Sequence, residues 1–377
     1  MKKPLLLLIL PFLILTVPIF AYENDNDTPA PLYQAASVLA MCADTGIVLY
    51  ETEGFTLRYP ASITKVMTAL LVLENVSDLE ERIILSPHAI DIPDYASRMG
   101  VHEGENISVL EALYGLMLPS GNEVARALAE HVSGSVPAFI EQMNLRAIHL
   151  GAYGTHFVNA CGLPGDGQHV TAFDVAVIMR AAIRHSVFVD IISTPFFELP
   201  PTNKHPYPRR MINTNRMIRP DEEEYNPYVI GGKTGFTRAA QHTLVTYAQR
   251  GGHSLILVVL YTPRLISFTD TAALMELAFD IMVEMEIEAE LAAARLAAEI
   301  EAERIAAEEA AAEQARQEAL RLEEERLAAE EAAAQPDPTP EISLMDAAIA
   351  AASVLAIVII GLLVLLLYYH RKSKRGA

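Results

Sequence analysis

Three short stretches hold residue types that could share one reaction. In Ser62-Ile63-Thr64-Lys65 a hydroxyl and an amine lie three residues apart, which on a helix is one turn and one face. Pro60-Ala61 precedes the pair and an apolar run, Val66 to Leu73, follows it, so Ser62 is expected in a first helical turn. A serine hydroxyl is a weak nucleophile and needs a neighbouring base. A lysine amine serves as that base only when its pKa is depressed, and burial, a second cation and a helix N-terminus all depress it. Taken alone, the pattern is better read as a helix-capping serine and a solvated lysine, since it should arise about once by chance in a chain of this size.

The second stretch, Ser120-Gly121-Asn122, follows Pro119 between two helical patterns. Such a turn can project a hydroxyl and an amide into a cleft, with Ser120 relaying a proton and Asn122 bonding the Lys65 amine or a substrate amide. It reads just as well as an ordinary turn with Asn122 capping the next helix. The third, Lys233-Thr234-Gly235, lies within Val229 to Thr237. Gly232 and Gly235 leave open backbone on a strand beside which an extended peptide could add. Lys233 offers a cation for a substrate carboxylate, and Thr234 or Thr237 a hydroxyl for the same group; a solvated hairpin lysine is the plainer alternative. A nucleotide-binding phosphate loop is rejected, because its first glycine is required where Pro227 stands. Each motif is weak singly, but all three in this order should arise by chance only about once in a thousand chains.

Around these motifs, residues 36–51 read as a hairpin centred on Asp44-Thr45-Gly46, and helical patterns cover about 62–74, 109–117, 123–132, 137–150 and 172–185. Ser108 and Thr171 are placed as N-caps, Gly134 and Gly151 as C-terminal stops. His242–Gln249 and His253–Tyr261 flank Gly251-Gly252, a two-residue hairpin signal. Strands at both ends with helices between imply an α+β fold, one antiparallel sheet covered by helices.

The formal charge is −20 over 377 residues, and no basic patch suits a nucleic acid. The imbalance is concentrated: residues 276–331 hold eighteen acidic residues against five arginines. The organisation expected is a signal peptide at 1–21, a linker at 22–32, a catalytic domain at 33–280 and a charged helical stalk at 281–334. A Pro-containing linker at 335–346, a transmembrane helix at 347–369 and a basic tail at 370–377 follow. Exposed pairs Glu313–Arg316, Glu318–Arg321 and Glu323–Arg326 support the stalk, whose apolar residues keep no strict seven-residue repeat, favouring a solitary helix over a coiled coil. The catalytic domain is expected outside the cytoplasmic membrane, with a single pass and a cytoplasmic C-terminus. Cys42 and Cys161 are read as free thiols, and no group of residues has metal-ligand spacing; no metal and no cofactor are expected.

At its three motifs the chain resembles the low-molecular-mass penicillin-binding proteins that are serine D-alanyl-D-alanine carboxypeptidases, a likeness covering about residues 33–280. Asn159-Ala160-Cys161-Gly162-Leu163, Thr171-Ala172-Phe173-Asp174 and Asn213-Thr214-Asn215 support it, read here as loop and cap residues without chemistry. The resemblance implies the penicillin-binding-protein/β-lactamase-like transpeptidase fold and an enzyme that trims the terminal D-Ala from peptidoglycan stem pentapeptides. It makes Ser62 the acylated nucleophile, Lys65 the general base, and Ser120 and Asn122 its aids. Lys233, Thr234, Gly235 and Thr237 become the substrate-binding residues, and the backbone N–H groups of Ser62 and Phe236 the oxyanion hole. β-Lactams are implied as covalent inhibitors.

Many members of that family carry a β-rich second domain and an amphipathic anchor, whereas here a charged helix and a spanning segment stand in their place. An arginine that some relatives place near Asn213-Thr214-Asn215 is absent, so Lys233 is expected to act alone or with Arg216 or Arg238. Three alternatives remain: a β-lactamase, a peptidoglycan endopeptidase, or a non-catalytic wall-binding or β-lactam-sensing protein. Gly121 in place of Asp speaks against a class A β-lactamase. The short tail after Tyr369 speaks against a sensor, which needs an output domain.

Overall fold

The computed structural model describes residues 33–334 and 344–373. The expected signal segment and first linker, most of the Pro-containing linker and the end of the basic tail lie outside these residues.

Strands β1 (Ser37–Cys42) and β2 (Val48–Thr52) form the first hairpin, and a 3-10 turn at Ala61–Thr64 leads into helix α1 (Lys65–Asn75). Short strands β3 (Arg82–Ile84) and β4 (Asn106–Ser108) pair on either side of helix α2 (Pro87–Ile90). Helices α3 (Val109–Met117), α4 (Asn122–Ser133), α5 (Val136–Leu150), α6 (Ala172–Ala182) and α7 (Ser186–Ser193) follow. A small ribbon, β5 (Phe196–Leu199) with β6 (Arg209–Ile212), precedes the long strands β7 (Val229–Thr237), β8 (Gln241–Arg250) and β9 (His253–Thr262). Helices α8 (Ile266–Ala334) and α9 (Leu344–Ser373) complete the chain.

Local signals account for most of these limits. Ser108 closes a capping box with Glu111 at the start of α3, and the Thr171 hydroxyl accepts from Asp174 N–H at the start of α6. Gly134 and Gly151 end α4 and α5 in the left-handed conformation, at φ +72° and +85°. Gly251 and Gly252 both take positive φ, as the tight turn between β8 and β9 requires. Helix α6, expected to 185, ends at Ala182, since residues 183–185 turn the chain into α7.

The long strands form one five-stranded antiparallel sheet in the order β2-β1-β9-β8-β7. Both of its faces are covered. Leu39, Met41, Val245, Ile256, Val258 and Leu260 pack with the helices between the strands, around Met67, Leu70, Leu116 and Met179. Val38, Ala40, Leu244, Leu255, Leu257 and Val259 point the other way, onto Phe268, Leu274, Met275 and Phe279 of α8. Alternate residues therefore meet different cores, which is why β9 is apolar without a break. The helix carrying the charged segment thus begins at Ile266, and its first turns belong to the catalytic fold.

The compact unit ends at Glu290 and residues from Leu291 onward form a second. In that unit α8 is solvent-exposed and bears Glu301–Arg304, Arg304–Glu308 and Glu323–Arg326 pairs at 2.7, 2.7 and 2.8 Å. Arg321 turns to Glu325 instead of Glu318, an exchange that costs little at exposed positions. Met345–Leu365 in α9 is apolar enough to cross a membrane, with mean hydropathy 3.0.

Candidate active site

Ser62 sits in the 3-10 turn ahead of α1, and Lys65 is the first residue of that helix. Lys65 is fully buried. Its Nζ lies 3.1 Å from Ser62 Oγ, 3.0 Å from Asn122 Oδ1 and 2.8 Å from the Cys161 carbonyl oxygen. Three acceptors thus fix the amine beside the hydroxyl. Burial lowers the Lys65 pKa from 10.5 to about 8, against the opposing pull of Cys161 and Glu123. The solvated-lysine alternative is overturned for this residue.

Two helices and a loop assemble this arrangement. Asn122 begins α4 and is oriented by the Ser97 carbonyl, which accepts from its backbone N–H at 3.0 Å and its side-chain amide at 2.7 Å. Its Oδ1 therefore faces Lys65. The Cys161 carbonyl arrives on a loop held by Asn159, whose Oδ1 accepts from the N–H groups of Cys161 and Gly162 at 3.2 and 2.6 Å. Gly162 is required there: its φ is +87°, and a Cβ would lie 1.7 Å from the Ala61 carbonyl oxygen. Ala61 and Ser120 themselves hold positive φ of 50° and 66°, so the two turns that present the motif hydroxyls both carry backbone strain.

Ser120 Oγ is buried and has no hydrogen-bond partner among the described residues. Lys233 projects from β7 and is also fully buried, its Nζ donating to the Thr234 carbonyl at 3.0 Å; this overturns the plainer reading of a solvated hairpin lysine. Its pKa is pushed well below 10.5, by burial first and by the Lys65 charge second. The two ammonium groups are thus close enough to repel one another. Thr234 Oγ1 shares a 2.6 Å hydrogen bond with Thr214 Oγ1. Thr237 Oγ1 accepts from Ala240 N–H at 3.0 Å.

Gly235 lets β7 pass directly beside the Ser62 turn. A Cβ at Gly235 would stand 2.8 Å from the Ser62 nitrogen and 2.4 Å from Thr243 Oγ1. The backbone N–H of Ser62 and the strand segment Gly235–Phe236 therefore border the same small space. Phe236 turns its ring outward, 4.5 Å from that of His242.

Ser62, Ser120, Asn122, Thr234, Gly235, Phe236 and Thr237 all line one cleft of about 820 Å³. Sequence reasoning missed part of its wall: Tyr95, Ser97, His242 and Arg264 carry no local signature, and His242 is placed by pairing with Phe236 and Thr262 and Ser97 by its contact with Asn122. Two stretches read as loop and cap residues without chemistry are only partly so. Asn159 and Asn215 do hold turns, and Asn215 caps the 3-10 turn at Arg216–Ile218. The Cys161 carbonyl and the Thr214 hydroxyl, however, reach the site. Of the two arginines expected to support Lys233, Arg216 is engaged by Glu222 and Glu224. Cys42 and Cys161 are both buried free thiols.

The arrangement can support nucleophilic acyl transfer, and known proteins agree with it. Residues 24–263 match the family model described as D-alanyl-D-alanine carboxypeptidase, peptidase S11. The chain is 31% identical over 265 residues to the D-alanyl-D-alanine carboxypeptidase DacF of Bacillus subtilis, covering 69% of this chain and 66% of that protein. It is 34% identical to DacB2 of Mycobacterium tuberculosis, covering 63% of this chain and 79% of that protein. A Streptomyces DD-transpeptidase crystal structure superposes with a TM-score of 0.62 at 30% identity, over 67% of this chain and 100% of the other. With the family model matched over residues 24–263, the chain belongs to peptidase S11, the family of serine-type D-alanyl-D-alanine carboxypeptidases.

Proposed function

We propose that the chain removes the terminal D-Ala from peptidoglycan stem pentapeptides ending in D-Ala-D-Ala, through an acyl-enzyme on Ser62. The observation that carries this reading is the 3.1 Å approach of a fully buried lysine amine to a serine hydroxyl. Neutral Lys65 takes the Ser62 proton as Oγ attacks the carbonyl carbon of the penultimate D-Ala. The backbone N–H groups of Ser62 and Phe236 receive the developing oxyanion, each worth about 3–4 kcal/mol of barrier. Ser120 passes the proton from Lys65 to the departing D-Ala nitrogen, the C–N bond breaks, and the acyl ester remains on Ser62. Water attacks that ester with Lys65 again as base, releasing the shortened peptide and restoring the hydroxyl.

Lys233, Thr234 and Thr237 hold the terminal carboxylate. A carboxylate at Lys233 restores the charge that burial and Lys65 disfavour, so substrate binding and protonation of Lys233 reinforce one another. Asn122 holds Lys65 and the substrate amide. β-Lactams enter the same site and acylate Ser62. The apolar α9 anchors the chain in the cytoplasmic membrane by a single pass, with the catalytic domain on the outer side and the exposed helix 281–334 as its spacer.

The test is incubation with a D-Ala-D-Ala pentapeptide, with mass analysis of the peptide products and of the protein. Free D-Ala and a Ser62 acyl adduct are expected, and Ser62→Ala should abolish D-Ala release and labelling by fluorescent penicillin alike. Undiminished labelling of that variant removes Ser62 from its role. Rapid β-lactam hydrolysis would instead make the chain a β-lactamase, and cleavage of cross-linked dimers an endopeptidase.

A further inference from the structure

The cleft differs in charge from the chain that builds it. The protein has 48 acidic against 28 basic residues, yet the cleft is lined by Arg216, Arg238, Arg264 and His242 and by no Asp or Glu. Arg216 is neutralised by Glu222 and Glu224. Arg238 and Arg264 are exposed, and their guanidinium groups have no ion-pair or hydrogen-bond partner among the described residues. Arg264 is an electrostatic neighbour of His242, whose pKa is lowered by burial and then by the Arg264 charge.

Strand β7 gives these arginines an address. It is an edge of the five-stranded sheet and so has a side on which an extended peptide can add. Lys233 and Thr234 lie toward one end of the cleft segment, Gly235 stands against the Ser62 nitrogen, and Arg238 directly follows the last strand residue, Thr237. An added strand advances about 3.3 Å per residue. With the terminal carboxylate at Lys233–Thr234 and the penultimate D-Ala beside Gly235 and Ser62, a peptide antiparallel to β7 brings the residue before the D-Ala pair one rise further on, alongside Phe236. Arg238 lies two residues, about 7 Å, beyond Phe236, and His242, the neighbour of Arg264, pairs with Phe236, a span that a long side chain and an arginine cover together.

We propose that Arg238 and Arg264 form a subsite for a free carboxylate on the side chain of the residue preceding D-Ala-D-Ala. The subsite rests on the carboxypeptidase reading and narrows its substrate class: stem peptides whose third residue ends in a carboxylate, over those ending in an amide or an ammonium group. Two unpaired guanidinium groups attract the first, gain little from the second and repel the third.

The experiment uses the full chain and three peptides, Nα-acetyl-X-D-Ala-D-Ala, with X as L-2-aminoadipate, its side-chain amide, or L-lysine. D-Ala release from the acid should exceed that from the amide by about 10-fold in kcat/KM, mainly through KM, with lysine slowest. Arg238→Gln and Arg264→Gln, each a surface change, should bring the acid-to-amide ratio toward 1. A ratio near 1 in the unaltered protein overturns the subsite while leaving the carboxypeptidase reading intact. Equal slowing of acid and amide peptides by both variants also overturns it, assigning the arginines to the terminal carboxylate that all three peptides share. Absence of D-Ala release from every peptide overturns the carboxypeptidase reading, and the subsite with it.

Discussion

Where Lys65 is held is what fits it to act as a base. In water an amine of this type is almost wholly protonated at pH 7, but burial brings its pKa to about 8. The sign of the consequence is fixed: below that value Lys65 is an ammonium and cannot accept the Ser62 proton, and above it the free amine can. The acylation rate, followed by fluorescent penicillin labelling, should therefore rise about tenfold per pH unit below pH 8 and level off above it. Lys65→Ala should lose that dependence together with most of the rate. Lys233 titrates in the same sense with a different effect, since loss of its charge as pH rises removes the attraction for a terminal carboxylate. Lys233→Ala should accordingly slow peptides with a free C-terminal carboxylate more than C-terminally amidated analogues, measured as kcat/KM; equal losses would contradict that role.

Between residue and fold, the site depends on how closely three elements approach. The 3-10 turn, the Asn159–Leu163 loop and β7 converge at Ala61 and Ser62, and glycines stand where they touch. Gly162→Ala puts a methyl group 1.7 Å from the Ala61 carbonyl at a φ of +87°, so the loop must withdraw and take the Cys161 carbonyl from Lys65. A displacement near 1 Å at a reacting group costs about 100-fold in rate. Penicillin labelling of Gly162→Ala should slow by at least about that factor while the far-UV circular dichroism remains helical and stranded; wild-type labelling would remove the loop from the site's support. The caps of α3 and α6 and the β8–β9 turn were legible in the sequence because each depends on residues a few positions apart. The Cys161 contact was not, because a backbone carbonyl leaves no mark in residue type.

For the whole molecule, the decisive feature is the double role of α8. Its composition marks a charged, solvated helix, and from Leu291 onward it is one. Its first turns nonetheless bury Leu274, Met275 and Phe279 against the sheet. A chain ending after Arg264 loses these side chains, each worth about 2–5 kcal/mol, against a whole-domain stability of only about 5–15 kcal/mol. A protein spanning 33–290 should show a cooperative thermal transition and bind penicillin, whereas one spanning 33–264 should show neither; cooperative melting of the shorter chain would contradict the packing role. Deletion of 344–373 should move the full-length protein from the membrane to the soluble fraction.

The residues themselves determined which groups could react, the order of the three motifs, the helix caps and the antiparallel hairpin, since all of these are set by neighbours in the chain. Only the folded chain decided that Lys65 and Lys233 are both buried, that Arg216 is neutralised while Arg238 and Arg264 are not, and that Thr214 reaches Thr234. These are matters of solvent exclusion and of distances between segments far apart in sequence, and it is those quantities that lower the pKa of a common amine and leave two guanidinium groups unpaired beside the cleft.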